Sequence, residues 1–238
     1  MIETGILLDI IRLVVGTVIL SYASYTDIKT RQASNILWLI MGSAGGILLV
    51  VQFFTIDFED IRLLIFIPIM ISFFYVLFRL RLIFGGADAK ALMSLSVLAP
   101  LQPSINNFPI YGSLPFFTWS IFSNSVLLFL LIPLSLLVFN IVKRNLEFPY
   151  CFLGYKMSVR KARETFVWPL EKIKDGKRKF MYMPKDFDVD EELEEFEKMG
   201  IGRIWVTPKI PFMIPLLAGF IVSFVLGDIL FHLMGSIL

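Results

Sequence analysis

The stretch Ile6–Tyr25 (ILLDIIRLVVGTVILSYASY), followed at once by Thr26-Asp27-Ile28-Lys29, is a long apolar run that ends on a carboxylate. A helix rising about 1.5 Å per residue needs about 20 such residues to cross the hydrocarbon core of a bilayer. The run therefore reads as a membrane span. It has no basic leading segment and no small-x-small cleavage site, since Glu3 and Asp9 precede Arg12, so a retained helix over 5–26 is expected rather than a signal peptide.

Working outward, the same criterion marks spans at 35–54, 61–79, 88–102, 119–142 and 211–236. The fourth is the shortest, and Ser94, Ser96 and Pro100 dilute it; a polar-tinged helix buried among its neighbours is expected there. Composition agrees: of 238 residues 57% are apolar and 18% charged, and the mean hydropathy is +0.77, the profile of an integral membrane protein. The charge is unevenly placed, with fifteen of the 22 Lys/Arg and twelve of the 20 Asp/Glu between Lys143 and Lys209. The fold class predicted is thus an α-helical polytopic membrane protein of about six transmembrane helices, with a small cytoplasmic α+β module between the fifth and sixth. Its domains are 1–142 (membrane), 143–209 (module) and 210–238 (last helix).

Loop charges set the orientation. Lys29 and Arg31 follow the first span, Arg79 and Arg81 the third, and Lys143 and Arg144 the fifth. The second loop instead carries Asp57, Glu59 and Asp60 against Arg62, and 102–118 carries no charge. Both termini are expected outside a plasma membrane, with the module and both acids, Asp27 and Asp88, on the cytoplasmic side. A net charge of +2 gives no argument for nucleic acid, and the single Cys151 excludes an internal disulfide and a Cys-rich metal site.

In the module, Asp175-Gly176 between the β-prone runs 165–173 and 179–183 signals a hairpin. Residues 188–199 read as an acidic helix capped by Asp188 or Asp190 and stopped by Gly200, and Arg203–Thr207 as a further strand. The acidic helix is an ordinary solvated face, with attraction of a basic leader as its functional alternative.

Ionisable side chains at the ends of membrane helices are costly unless hydrated, paired or used, which makes Asp27 and Asp88 functional candidates. Two close carboxylates sharing one proton supply a base to activate water and an acid to protonate the scissile group, because like charges at short range cannot both ionise. No cofactor and no metal is needed for that chemistry. The structural readings are an N-cap for Asp88 and a hydrated loop acid for Asp27. Asp9 and Arg12 read as an ion pair, and Asp228 with His232 as a structural hydrogen bond.

Phe84-Gly85-Gly86-Ala87-Asp88-Ala89-Lys90 resembles the Gly-x-Gly-Asp signature of membrane aspartyl proteases, in the Gly-Asp-x-Lys form of the prepilin and preflagellin peptidases. Asp27-Ile28-Lys29-Thr30-Arg31 with Asn35, and Lys209-Ile210-Pro211-Phe212, are similar to further elements of that family. Ala87 stands where the family has glycine, and Gln32-Ala33-Ser34 replaces the residues expected before Asn35. Without a cysteine tetrad the N-methylating activity of some bacterial members is not implied.

The resemblance, closest to the short archaeal preflagellin branch, implies an aspartic-type endopeptidase that removes short basic leader peptides from preflagellin- or prepilin-like proteins. It implies Asp27 and Asp88 as catalytic, Gly85, Gly86 and Ala87 as backbone support, and Lys90, Lys29 and Asn35 as tuning or substrate contacts. The partners expected are those protein substrates and the lipid bilayer. The alternatives are a small ion-coupled transporter, against which both acids lie at one face, a non-enzymatic scaffold, and a presenilin-type protease, whose Pro-Ala-Leu element Leu98-Ala99-Pro100-Leu101 does not match.

Overall fold

The computed structural model describes residues 2–56, 61–83, 85–112, 114–174, 176–181 and 189–237. In chain order its elements are α1 (Ile2–Thr30), α2 (Asn35–Thr55), a 3-10 turn (Ile61–Ile65) running into α3 (Phe66–Arg79), α4 (Gly86–Leu98) and α5 (Phe117–Val142). Then come α6 (Tyr150–Leu153), β1 (Tyr155–Ser158), α7 (Val159–Arg163), β2 (Val167–Pro169), β3 (Glu171–Lys174), β4 (Lys177–Phe180), α8 (Val189–Lys198), β5 (Arg203–Pro208), α9 (Met213–Leu226) and α10 (Ile229–Ile237). The chain divides into two compact units, Met1–Phe129 with Pro211–Leu238, and Leu130–Ile210.

Among the described residues, four helical stretches are long and apolar enough to cross a membrane: Glu3–Thr30, Asn35–Thr55, Ile61–Arg79 and Phe117–Val142. A fifth arises if Met213–Leu226 and Ile229–Ser236, bent by 54°, count as one. The structure is thus mostly helical, with four or five candidate spans and a small sheet module towards the C-terminus.

Two expectations change in detail. The helix expected over 88–102 begins earlier and stops at Leu98; at 1.5 Å per residue its length is about 20 Å, short of the roughly 30 Å core. The expected helix over 211–236 is interrupted at Gly227 and Asp228, where Gly227 adopts a φ of 86°.

The first unit packs around α4. Ala89, Ala91, Leu92, Leu95 and Leu98 are buried against α2 and α3. The approach of α2 is close because Gly45 presents no side chain: a Cβ there would lie 2.6 Å from the Leu98 Cα. Ser94 donates its hydroxyl to the Trp38 carbonyl at 3.0 Å, while Ser96 turns back to Leu92 at 2.9 Å. The hydroxyls that dilute the hydropathy of α4 thus serve packing between and within helices, as expected for a buried helix.

The expected Asp9–Arg12 pair forms at 2.7 Å, and Arg12 also donates to the Gln52 amide oxygen on α2 at 2.6 Å. Asp9 accepts from the Ser104 N–H at 2.8 Å.

In the second unit, antiparallel strands run in the order β1-β5-β2, and β3 pairs with β4. The hairpin is as expected, with Lys174 opposite Lys177 and Gly176 at a φ of 69°; Asp175 lies outside the described residues. The run expected over 165–173 is two strands, and Leu170 joins them: its N–H donates to the Trp205 carbonyl of β5 while its carbonyl accepts from the Met181 N–H, just past β4. Helix α8 buries Leu193 and Phe196 and ends at Gly200, whose φ is 69°; Asp188, Asp57, Glu59, Asp60 and Phe84 lie outside the described residues.

Candidate active site

Asp27 sits in the last turn of α1 rather than beyond its end. The backbone ladder continues through the polar turn, and the Arg31 N–H, from a residue at a φ of 57°, closes on the Asp27 carbonyl at 3.0 Å. Side chains three, four and seven residues earlier, Ser24, Ala23 and Leu20, are all buried. Asp27 therefore shares the packed face of the helix and is itself half-buried. Arg31 lies within electrostatic reach of it.

Asp88 occupies the third position of α4. Gly85, with extended backbone (φ −82°, ψ 118°), takes the cap position, so Asp88 is not the N-cap that the structural reading of the sequence offered. Its carboxylate instead folds back over the Gly85 Cα. A Cβ on Gly85 would collide with the Asp88 Oδ2 and lie 2.7 Å from its Cγ. A negative charge in the first turn is also favoured by the helix dipole, by about 0.3–1 kcal/mol. A Cβ on Gly86, by contrast, would meet only the Phe78 ring at 3.7 Å, ordinary contact.

Helices α1 and α4 touch, with Asp27 within electrostatic reach of Asp88. Around this pair the structure gathers Gly85, Gly86 and Ala87. Beside it, Lys90 donates to the Asn35 amide oxygen at 2.8 Å, tying the first turns of α4 and α2 together. Lys29 stands instead over the Tyr25 ring, 5.8 Å from its centroid, on the exposed side of α1. The motif set Lys90 apart from Lys29 in sequence, and the structure gives the two different partners. Among the described residues no group of His, Cys, Asp and Glu is arranged to hold a metal.

Asp228 and His232 are separate in role. Asp228 is an N-cap of α10, accepting from the Phe231 N–H at 2.9 Å and the Ser120 hydroxyl at 3.0 Å. The His232 ring stacks on Tyr111 with centroids 3.8 Å apart. Asn124, which the sequence reading passed over, bridges the break before α10: its amide donates to the Gly227 carbonyl at 2.7 Å and to Ser223 at 2.8 Å, and accepts from the Ile229 N–H at 3.2 Å.

Apolar helices long enough to cross a bilayer, with Asp27 near the end of one and Asp88 on the short helix that touches it, define the class as a membrane protein. Comparison with known proteins narrows the class. Residues 14–142 match the type IV leader peptidase family, and residues 146–229 match the archaeal peptidase A24 C-terminus type II. The chain is 27% identical to a preflagellin peptidase of Methanococcus voltae over 90% of this chain and 94% of the relative. It is 26% identical to one of Methanocaldococcus jannaschii (92% and 94%) and 28% identical to one of Methanococcus maripaludis (92% and 96%). The chain belongs to the type IV leader peptidase family and is a membrane protease.

Proposed function

We propose that the protein is an aspartic endopeptidase that removes short basic leader peptides from preflagellin- or prepilin-like proteins, with Asp27 and Asp88 as its catalytic pair. The observation that supports the reading is the contact of α1 with α4, with Asp27 within electrostatic reach of Asp88 and Asp88 folded over a glycine that leaves it room. One carboxylate, ionised, takes a proton from water as the water attacks the scissile carbonyl carbon. The other, protonated, donates to the carbonyl oxygen, and the pair then returns a proton to the leaving amine as the C–N bond breaks. The proton belongs to the pair rather than to either residue.

The loop charges favour a cytoplasmic position for this pair and the 143–209 module, with both termini outside a plasma membrane. Six crossings follow if α4 and the stretch after it complete the fourth, since irregular backbone at membrane depth is tolerated where protein buries it. The basic leader then lies in the cytoplasm and the apolar segment behind it in the bilayer.

The test is cleavage of a leader-bearing preflagellin by detergent-solubilised protein, comparing wild type with Asp27→Asn and Asp88→Asn. Asparagine keeps size and polarity and cannot share a proton. Loss of product by at least about a thousandfold in each variant, with helical content intact, is expected from removing a member of a two-residue catalytic unit. Full activity in either would remove the pair from the mechanism.

A further inference from the structure

The second unit carries a groove of about 460 Å³, almost wholly apolar, that the chemistry of leader cleavage does not use. One wall is the i, i+4, i+8 row Leu131, Ser135 and Phe139 of α5; the other is Pro208 and Ile210 at the end of β5, with Tyr155 between them. The walls are fixed. Asn140 donates to the Gly154 and Cys151 carbonyls at 2.7 and 3.0 Å, clamping the end of α5 to the start of β1. The rings of Phe139 and Tyr155 lie 6.1 Å apart, and the Lys209 N–H bonds the Phe166 carbonyl at 3.1 Å.

Two features say what fills it. The lining row belongs to a helix apolar enough to span a membrane, and its neighbours Leu134, Val138 and Ile141 are exposed along the same length. From Leu131 to Phe139 the helix rises about 12 Å, close to the roughly 15 Å of hydrocarbon in one leaflet. Cations also flank the groove. Lys143, exposed, stands 5.9 Å from the centroid of the lining Phe139 ring, and Lys209 lies between the lining residues Pro208 and Ile210, its Nζ 3.8 Å from the centroid of Trp168.

We infer that the groove binds one anionic phospholipid, its hydrocarbon chain against Leu131, Ser135 and Phe139 and its phosphate between Lys143 and Lys209. A basic residue near a membrane surface attracts an anionic headgroup by about fivefold in affinity, and the apolar wall holds a chain that a free phosphate lacks.

Native mass spectrometry of the full chain in detergent, titrated with phosphatidylglycerol, phosphatidylcholine or glycerol phosphate, tests this. One retained phosphatidylglycerol per chain is expected, at least tenfold preferred over phosphatidylcholine. Lys143→Gln and Lys209→Gln should each lower its affinity about fivefold, and Ser135→Trp, which fills the groove, should lower retention of both lipids. Equal retention of the two lipids would overturn the site, as would an unchanged preference in the double lysine variant. Competition by glycerol phosphate as strong as by the lipid would overturn the role of the groove. If Ser135→Trp does not fold, the lysine variants, altered only at their charged heads, still decide the matter.

Discussion

Within Phe84-Gly85-Gly86-Ala87-Asp88 the two glycines look alike in sequence and have opposite consequences in space. Replacing Gly85 by alanine creates a Cβ 2.7 Å from the Asp88 Cγ. Carbon atoms rest at about 3.5–4.0 Å, so the carboxylate must retreat by about 1 Å or the side chain must change rotamer. The backbone at Gly85 is ordinary extended chain, and alanine adopts it without strain. The variant therefore folds and carries a displaced acid. A displacement of about 1 Å at a reacting group costs on the order of a hundredfold in rate, about 2.7 kcal/mol.

Gly86→Ala adds a methyl that meets only Phe78 at 3.7 Å, inside the first turn of a helix, where alanine is the better helix former by roughly 0.5–1 kcal/mol. It should cleave within threefold of wild type and melt slightly higher. The assay is kcat/KM for a leader-bearing substrate, with circular dichroism of each variant in the same detergent. If Gly85→Ala keeps more than a third of wild-type kcat/KM while Gly86→Ala loses more than tenfold, the folded-back position of Asp88 is not the one that works.

The remaining expectations concern stability. Gly45→Val drives a branched side chain into the Leu98 backbone at 2.6 Å and should cost at least about 1–3 kcal/mol, seen as a lower Tm, whereas Gly46→Ala, mid-helix with nothing within 4 Å, should raise Tm slightly, by the same roughly 0.5–1 kcal/mol helix preference. Arg12→Met leaves the half-buried Asp9 with only the Ser104 N–H and should cost about 3–5 kcal/mol, much of it recovered by adding Asp9→Asn. Hydrogen bonds from Lys156 and Trp205 hold Glu147 below the ordinary glutamate value of 4.5. Its contribution is thus fully present above about pH 4.5 and lost as pH falls through the lowered folded value. Tryptophan emission during acid unfolding should show a shallower pH dependence in Glu147→Gln.

Much of the membrane part was legible because hydropathy over a 20-residue window reports directly on lipid burial: α2 and the Ile61–Arg79 stretch begin and end within a residue of the expected bounds. The same measure is blind to hydrogen bonding, so it stopped the first helix at 26 although the ladder runs on to Thr30, placing Asp27 a turn inside. It also could not see the break after Leu226, since two polar residues hardly lower the average and the group that makes the break possible, Asn124, lies about 100 residues earlier. In the 143–209 segment, Gly176 and Gly200 announced themselves by their turns, whereas α6, β1 and α7 are too short to show a period. Asp27 and Asp88 stood out because carboxylates are rare in such surroundings. Why Gly85 must be glycine was not readable, because the reason is another side chain's position.

The bend in the final helix pair has a consequence of its own. Asn124 offers a donor to the Gly227 carbonyl and an acceptor to the Ile229 N–H, the two groups a continuous helix would have satisfied internally. A side-chain amide carries both, a donor nitrogen and an acceptor oxygen on separate atoms. The location of the bend is therefore written in two helices at once, in Gly227 and Asp228 where the chain bends and in Asn124 on the helix that packs against it. Changes at 124 and at 227–229 are tied: shifting the bend requires moving the amide with it, so paired substitutions should recover what single ones lose.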